Sequence, residues 1–292
     1  MPEIISASRR TDIPAFYSGW FLNRLREGYC EYWHVFSKRW FRVSLLPEDV
    51  LGFVFWTKNL GPLLPDLPEI REHSPFYVQF TINAYPLQIE PNVIGKEVAV
   101  AQLRSVAADY GVGSVVWRFD PIVHTQFGGP AQTVARFRGL CRDLEGAARV
   151  CIVSFMSPYR RQAQAFARAG IIWDEASPEL RRELSAELAE VAAQHGITLA
   201  ACCNDDVVAT AVVKAHCIDP GQLRLAGAEI SGTARRAPSR EHCGCYRSLD
   251  IGAFDTCTAG CVYCYANQNA ALAERNRASH DSTRPALRCV GG

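Results

Sequence analysis

Short apolar runs rich in β-branched and aromatic residues alternate with longer amphipathic segments along most of this chain, and this restricts its fold more than any other feature. The runs fall at 3–8, 52–58, 76–83, 114–121, 150–157 and 197–202. They are nearly continuous in Val, Ile, Phe and Trp, the pattern of parallel strands covered on both faces. Between them the period changes to that of a helix. Val134, Phe137, Cys141 and Leu144 share one helical face, as do Leu180, Leu184, Leu188 and Val191. The second helix is punctuated by Ser177 as a cap, Pro178 in the first helical position and Gly196 beyond the end. Strand–helix alternation of this kind predicts an α/β fold with a parallel sheet over residues 1–292 as a single domain, either an open sheet or a barrel, the latter as a partial TIM-like barrel. A chain of 292 residues buries roughly 75% of its unfolded surface and needs no staples.

In such folds the carboxyl ends of the strands build the active site. The ends here are polar. Arg9, Arg10 and Asp12 follow the first run, Lys58 the second, and Arg118 and Asp120 close the fourth. Arg9, Arg10, Lys58, Arg118 and Asp120 are therefore candidates for chemistry, although capping and loop satisfaction explain any one of them singly.

The 31 basic and 30 acidic side chains leave a net charge of +1, so charge does not indicate nucleic acid as a partner. No stretch approaches the ~20 apolar residues of a membrane span, and the start of the chain has no signal-peptide core. A cytoplasmic protein with reduced thiols is expected. The 12 cysteines stand out against this background, because eight of them lie within 202–264. Clustered thiols in a reducing compartment point to metal before disulfide.

The sharpest motif is Cys257-Thr-Ala-Gly-Cys261-Val-Tyr-Cys264. Ferredoxins close their clusters with four cysteines, at spacings that differ from this one. Three local thiolates leave one iron open, and no further cysteine follows until Cys289. The C-x3-C-x-aromatic-C pattern resembles the signature of the radical S-adenosylmethionine (SAM) superfamily. That resemblance implies a 4Fe–4S cluster on Cys257, Cys261 and Cys264, with SAM on the open iron and Tyr263 near the adenine. It further implies reductive cleavage of SAM, hydrogen abstraction from a substrate, and an electron donor such as a flavodoxin or ferredoxin. The run Cys261-Val-Tyr-Cys264-Tyr265-Ala266 is similar to the spore photoproduct lyase branch. Over most of its length the chain resembles a bacterial family of unknown function with cysteines of this kind at its C-terminus. The matching stretches begin at Ser8-Arg9-Arg10-Thr11-Asp12, Phe55-Trp56-Thr57-Lys58-Asn59, Cys217-Ile218-Asp219, Cys243-Gly244-Cys245 and Asp250-Ile251-Gly252.

Radical SAM domains ordinarily place this motif after their first strand. Here it follows a plausible strand at 248–252 and precedes a helix-like stretch at 265–278. A circular permutation is the implied explanation, and it predicts that strands 3–8 and 248–252 are neighbours. Asp12 then becomes a candidate for the SAM amino group, since the Gly-Gly-Glu stretch of the superfamily is missing, though Asp12 is also well suited to cap a helix starting at Ile13.

A cysteine-rich portion, 202–264, contains a second group. Cys202, Cys217, Cys243 and Cys245 are expected to bind an auxiliary 4Fe–4S cluster, with Cys203 as the spare. Zinc recruiting His216 or His242 is the rival, and simple burial of thiols is the third reading. Cys30, Cys141 and Cys151 fit core positions. The arginine-rich stretch 232–241 reads as an exposed connection. Two other functions compete with the enzyme. One is an iron–sulfur electron-transfer or sensing protein that does not cleave SAM, and the other is a zinc-bearing nucleic-acid-binding protein.

Overall fold

Strong β-formers in short runs pair in parallel only if something carries the chain back across the sheet each time, and the helical segments do so. A computed structural model describes residues 2–35, 37–156, 159–231 and 234–288. Its main sheet has eight strands: β1 (Glu3–Ala7), β2 (Val50–Thr57), β3 (Phe76–Thr81), β4 (Val115–Ile122), β5 (Val150–Phe155), β6 (Thr198–Ala201), β7 (Val212–Lys214) and β8 (Leu249–Asp250). Every neighbouring pair is parallel, and the order is β7-β6-β5-β4-β3-β2-β1-β8. Strands consecutive in the chain are consecutive in space, except that the last strand lies beside the first. Ile5 is opposite Leu249 and Ser6 opposite Asp250. β7 and β8 are the two edges; among the described residues no ladder closes the sheet into a barrel.

Helices α1 (Ile13–Phe16) and α2 (Ser18–Glu27) follow β1, α3 (Leu67–His73) follows β2, α4 (Lys96–Tyr110) follows β3 and α5 (Pro130–Leu144) follows β4. α6 (Arg160–Arg168) and α7 (Pro178–Gln194) join β5 to β6; α8 (Pro220–Leu225) and α9 (Ala270–Ala278) follow β7 and β8. Alternate strand residues face the helices. Phe53 and Phe55, Phe76 and Phe80, and Trp117 and Phe119 join Phe137 and Leu140 of α5 and Leu188 of α7 in the larger core. The periodicity of α5 is realised, since Val134, Phe137, Cys141 and Leu144 are all buried. In α7 the Ser177 side chain accepts the Leu180 N–H at 3.2 Å, and Pro178 stands in the first turn.

The opposite sheet face is covered from within. Ile4, Val54, Tyr77, Val116, Ile152 and Ala200 pack against Leu223 and Ala226 at α8. Tyr77 donates its hydroxyl to the Cys217 carbonyl at 2.7 Å and Gln79 donates to the same oxygen at 2.8 Å, anchoring the segment that enters α8. Higher on this face the side chains turn polar: Ser6, Gln79, Arg118 and Ser154.

Several boundaries differ from expectation. β2 starts at Val50, β3 ends at Thr81 and β6 covers only Thr198–Ala201. The run at 150–157 gives a strand ending at Phe155, and Ser157 lies outside the described residues. Helix forms at Ala270–Ala278 and not from 265, because Asn269 caps the Leu272 N–H at 2.9 Å and the preceding residues are committed to the cysteine loop. The alternation does not reveal an antiparallel hairpin of Tyr29–His34 with Arg39–Ser44. Cys30, Cys141 and Cys151 are fully buried core residues as expected. Residues 235–242 are exposed, in keeping with a connection.

Candidate metal and cofactor site at the strand carboxyl ends

Asp250 fastens the last strand to the first. Its carboxylate accepts Ser6 Oγ at 2.9 Å, Ser8 Oγ at 2.7 Å and the Arg9 N–H at 3.0 Å. The Arg9 guanidinium lies 3.5 Å away and that of Arg10 3.9 Å away. Arg9 and Arg10 thus spend their charge on this buried carboxylate. The chain beyond β8 becomes the cysteine loop, and Tyr265 donates back to the Arg9 carbonyl at 2.7 Å.

The loop is seated on the segment after β3. Val262 donates to the Ile89 carbonyl at 3.0 Å, the Asn92 N–H to the Ala259 carbonyl at 3.2 Å, and the Asn92 side chain to the Thr258 carbonyl at 3.0 Å. Gly260 is required here. Its φ is +72°, and a Cβ would stand 2.9 Å from Pro91. Backbone donors aim at the sulfurs: Ala266 N–H at 3.4 Å and Asn267 N–H at Cys264, and the Ala259 and Asp12 amides at Cys257. The three thiols sense one another electrostatically. Burial pushes the Cys257 thiol up to about 12, and lifts Cys261 and Cys264 as well. A metal taking these ligands has protons to displace. This chemistry fits an iron–sulfur cluster, whose thiolates are typically met by hydrogen-bond donors.

Beside the loop is a buried ion pair. Lys58 Nζ lies 2.8 Å from Glu90 Oε1 and 5.6 Å from the centre of the Tyr263 ring. Glu90 also accepts Asn83 Nδ2 at 3.0 Å and the Tyr263 hydroxyl. Burial pushes the Glu90 carboxyl up, but Lys58 and these donors outweigh it and hold Glu90 below the ordinary range. Burial lowers Lys58, and Glu90 followed by Cys261 overcompensate. Glu90 escaped the sequence reading. Its only local signal is a carboxylate between Ile89 and Pro91.

Asp12 stands next to the loop and its carboxylate is occupied. It accepts the Ala15 N–H at 3.0 Å, capping α1, and the Lys58 N–H at 2.7 Å. The capping role is the one seen, and Glu90 is the carboxylate that faces Tyr263. Arg118 and Asp120 pair at 2.6 Å, with Ser154 donating to Asp120. Arg118 further donates to Gln79 Oε1 at 3.2 Å and to Cys217 Sγ at 3.2 Å.

That last contact leads to the second cysteine group. Cys217 Sγ is 3.4 Å from Cys202 Sγ, which is 3.6 Å from Cys203 Sγ. Cys203 meets Cys243, Cys243 meets Cys245, and Cys245 returns to Cys217. The structure therefore brings all five thiols together, Cys203 among them. His216 and His242 are turned elsewhere, to the Gly244 carbonyl at 2.7 Å and to Asp205 at 3.2 Å. Among the described residues no three Cys, His, Asp or Glu already converge on one point as ligands of an ion. Cys289 lies outside the described residues. A separate groove, lined by Arg10, Tyr32, Trp33, Trp40, Phe254 and Arg288, runs between the hairpin and the chain leading into the cysteine loop.

Fold and site together define a parallel α/β protein with a three-cysteine loop at the carboxyl end of its sheet. The chain belongs to the family described as a domain of unknown function (DUF1848), whose profile matches residues 4–266. No curated protein and no solved structure matches it. Among the described residues no helix is long and apolar enough to cross a membrane.

Proposed function

We propose that this protein is a radical SAM enzyme built on a circularly permuted partial barrel. The observation that carries the reading is the placement of β8 beside β1. Counted from β8, the sheet runs β8-β1-β2-β3-β4-β5-β6-β7, eight parallel strands in unbroken succession with the cysteine loop after the first. Moving the chain ends changes the order of connection and leaves packing intact.

Cys257, Cys261 and Cys264 are the residues to hold a 4Fe–4S cluster. When bound, the cluster supplies an electron and an open iron for reductive cleavage of SAM, whose deoxyadenosyl fragment abstracts hydrogen from a substrate. The chain's own residues bind and orient. Lys58 and Glu90 place one cation and one anion beside the loop, the charge complement of an amino-acid head group. Tyr263 is fixed against Glu90 and Tyr85 and offers a flat apolar surface. Arg118, Asp120 and Ser154 line the adjacent strand ends and are the candidates to orient a substrate. The electron comes from an external donor such as a flavodoxin or ferredoxin.

The test is reductive cleavage. Anaerobically reconstituted protein should release 5′-deoxyadenosine from SAM when reduced, and a variant with Cys257, Cys261 and Cys264 all replaced by Ala should not. Equal release from both would end this reading, as would a reconstituted protein that takes up iron and leaves SAM intact.

A further inference from the structure

We infer that Cys202, Cys203, Cys217, Cys243 and Cys245 form a binding site for a single zinc ion that fastens the 234–247 segment to the sheet. The spacing of the sulfurs suits one ion. Four thiolates around one zinc at a Zn–S distance of about 2.3 Å lie about 3.8 Å from one another. The Cys217–Cys202 and Cys202–Cys203 sulfur contacts, 3.4 and 3.6 Å, are close to that edge. A four-iron cube puts each thiolate on a different corner and spreads them wider, so these contacts speak against the auxiliary iron–sulfur cluster expected from the sequence.

The surroundings of the sulfurs suit a metal as well. Arg118 Nη1 is 3.2 Å from Cys217 Sγ, and the Ser239 hydroxyl and the Cys245 amide each lie 3.5 Å from Cys243 Sγ. Donors aimed at sulfur favour the thiolate, the form that binds metal.

The segment itself points the same way. Residues 235–242 are exposed and contribute nothing to the core, while Gly244 is packed so tightly that a Cβ would stand 2.5 Å from His216 Nδ1 and 2.6 Å from the Ala215 carbonyl. A loop without a core of its own needs a staple, and Cys243 and Cys245 lie where it meets the sheet. Cys202 lies against both Cys203 and Cys217, and Cys243 and Cys245 interact with Cys203 and Cys217 from the other side. Closing four of them on one ion brings the 243–245 turn onto the Cys202–Cys217 pair, which leaves one thiol over. The all-sulfur set and closed surroundings are those of a structural site, with no position kept open for a substrate.

The experiment uses the full-length chain with Cys257, Cys261 and Cys264 replaced by Ala, so that it reads this site independently of the radical SAM assignment. Elemental analysis after growth with iron and zinc should find about one zinc per chain, with no acid-labile sulfide. Replacing Cys243 and Cys245 with Ser in that background should remove the zinc and make 234–247 sensitive to protease. To separate loss of metal from loss of fold, the wild-type chain is also titrated with a mercurial in the presence of a zinc dye, and should release one equivalent. Iron with sulfide in the triple variant, or no metal at all, overturns the inference.

Discussion

At the scale of single residues, the site depends on charges that have been taken out of water and satisfied locally. Glu90 is 4% exposed and holds Lys58, Asn83 and Tyr263 at once. Removing one member of a buried pair leaves the other uncompensated, at about 3–5 kcal/mol. Glu90→Gln should therefore lower stability by that order in chemical denaturation. Glu90→Gln with Lys58→Met should recover most of the loss while still binding SAM poorly. Full SAM affinity in the double variant, measured on reconstituted protein, would remove the pair from the cofactor site. Asp250 poses a similar test. Its carboxylate meets two hydroxyls and two backbone amides, besides two guanidinium groups. Since a hydrogen bond to a charged group contributes about 1.5–3 kcal/mol, Asp250→Ala should cost at least about 3 kcal/mol by the same measurement.

Elements behave more independently. Ser177→Ala removes one cap from the exposed start of α7 and should cost about 1 kcal/mol, a shift in midpoint of about 2 °C. Gly260→Ala acts where the cysteine loop meets the 86–92 segment, forcing a side chain at φ +72° against Pro91. Left-handed backbone at a non-glycine residue costs of order 1–3 kcal/mol, concentrated here in one loop. The expected result is a global midpoint that moves little beside a marked fall in iron retained on reconstitution. An unchanged iron content would mean that the loop tolerates the added methyl group.

For the molecule as a whole, pH dependence reports on histidines that folding buries, opposed by the Asp12 carboxyl, which burial pushes up to about 6. Burial lowers His73, His124 and His280 below the ordinary value of 6.5. At His124, burial comes first and Arg136 adds to it, while Asp174 opposes. The unfolded chain then binds more protons than the folded one as pH drops through 6.5. Stability should be fully present above that pH and decline as pH falls toward the folded values. Thermal midpoints at pH 7.5 and 5.0 should show the loss, and His124→Gln should reduce it. A pH dependence of the midpoint that is the same in His124→Gln as in the wild type would contradict the assignment.

Much was legible in the sequence because it is encoded locally. Apolar runs and their spacing determined the strands and helices of a parallel α/β fold, since each run must be buried on both faces. The spacing of Cys257, Cys261 and Cys264 determined a three-thiolate loop within eight residues. The pairing of 3–8 with 248–252 was also inferable, once that loop was taken as the first crossing of the sheet. The hairpin at 29–44 escaped because its aromatic residues are as frequent as a core strand's although Trp40 and Phe41 are 43% exposed. What only the tertiary structure decided is which distant groups meet. Glu90 reaches Lys58 and Tyr263 because the 86–92 segment folds under the cysteine loop. Asp250 becomes a clasp because β8 lies beside β1. Cys203 joins the other four thiols because the ends of β6 and β7 and the 243–245 turn come together. None of these contacts follows from a period or a spacing, because each is made by side chains whose neighbours are set by how the sheet is ordered and covered.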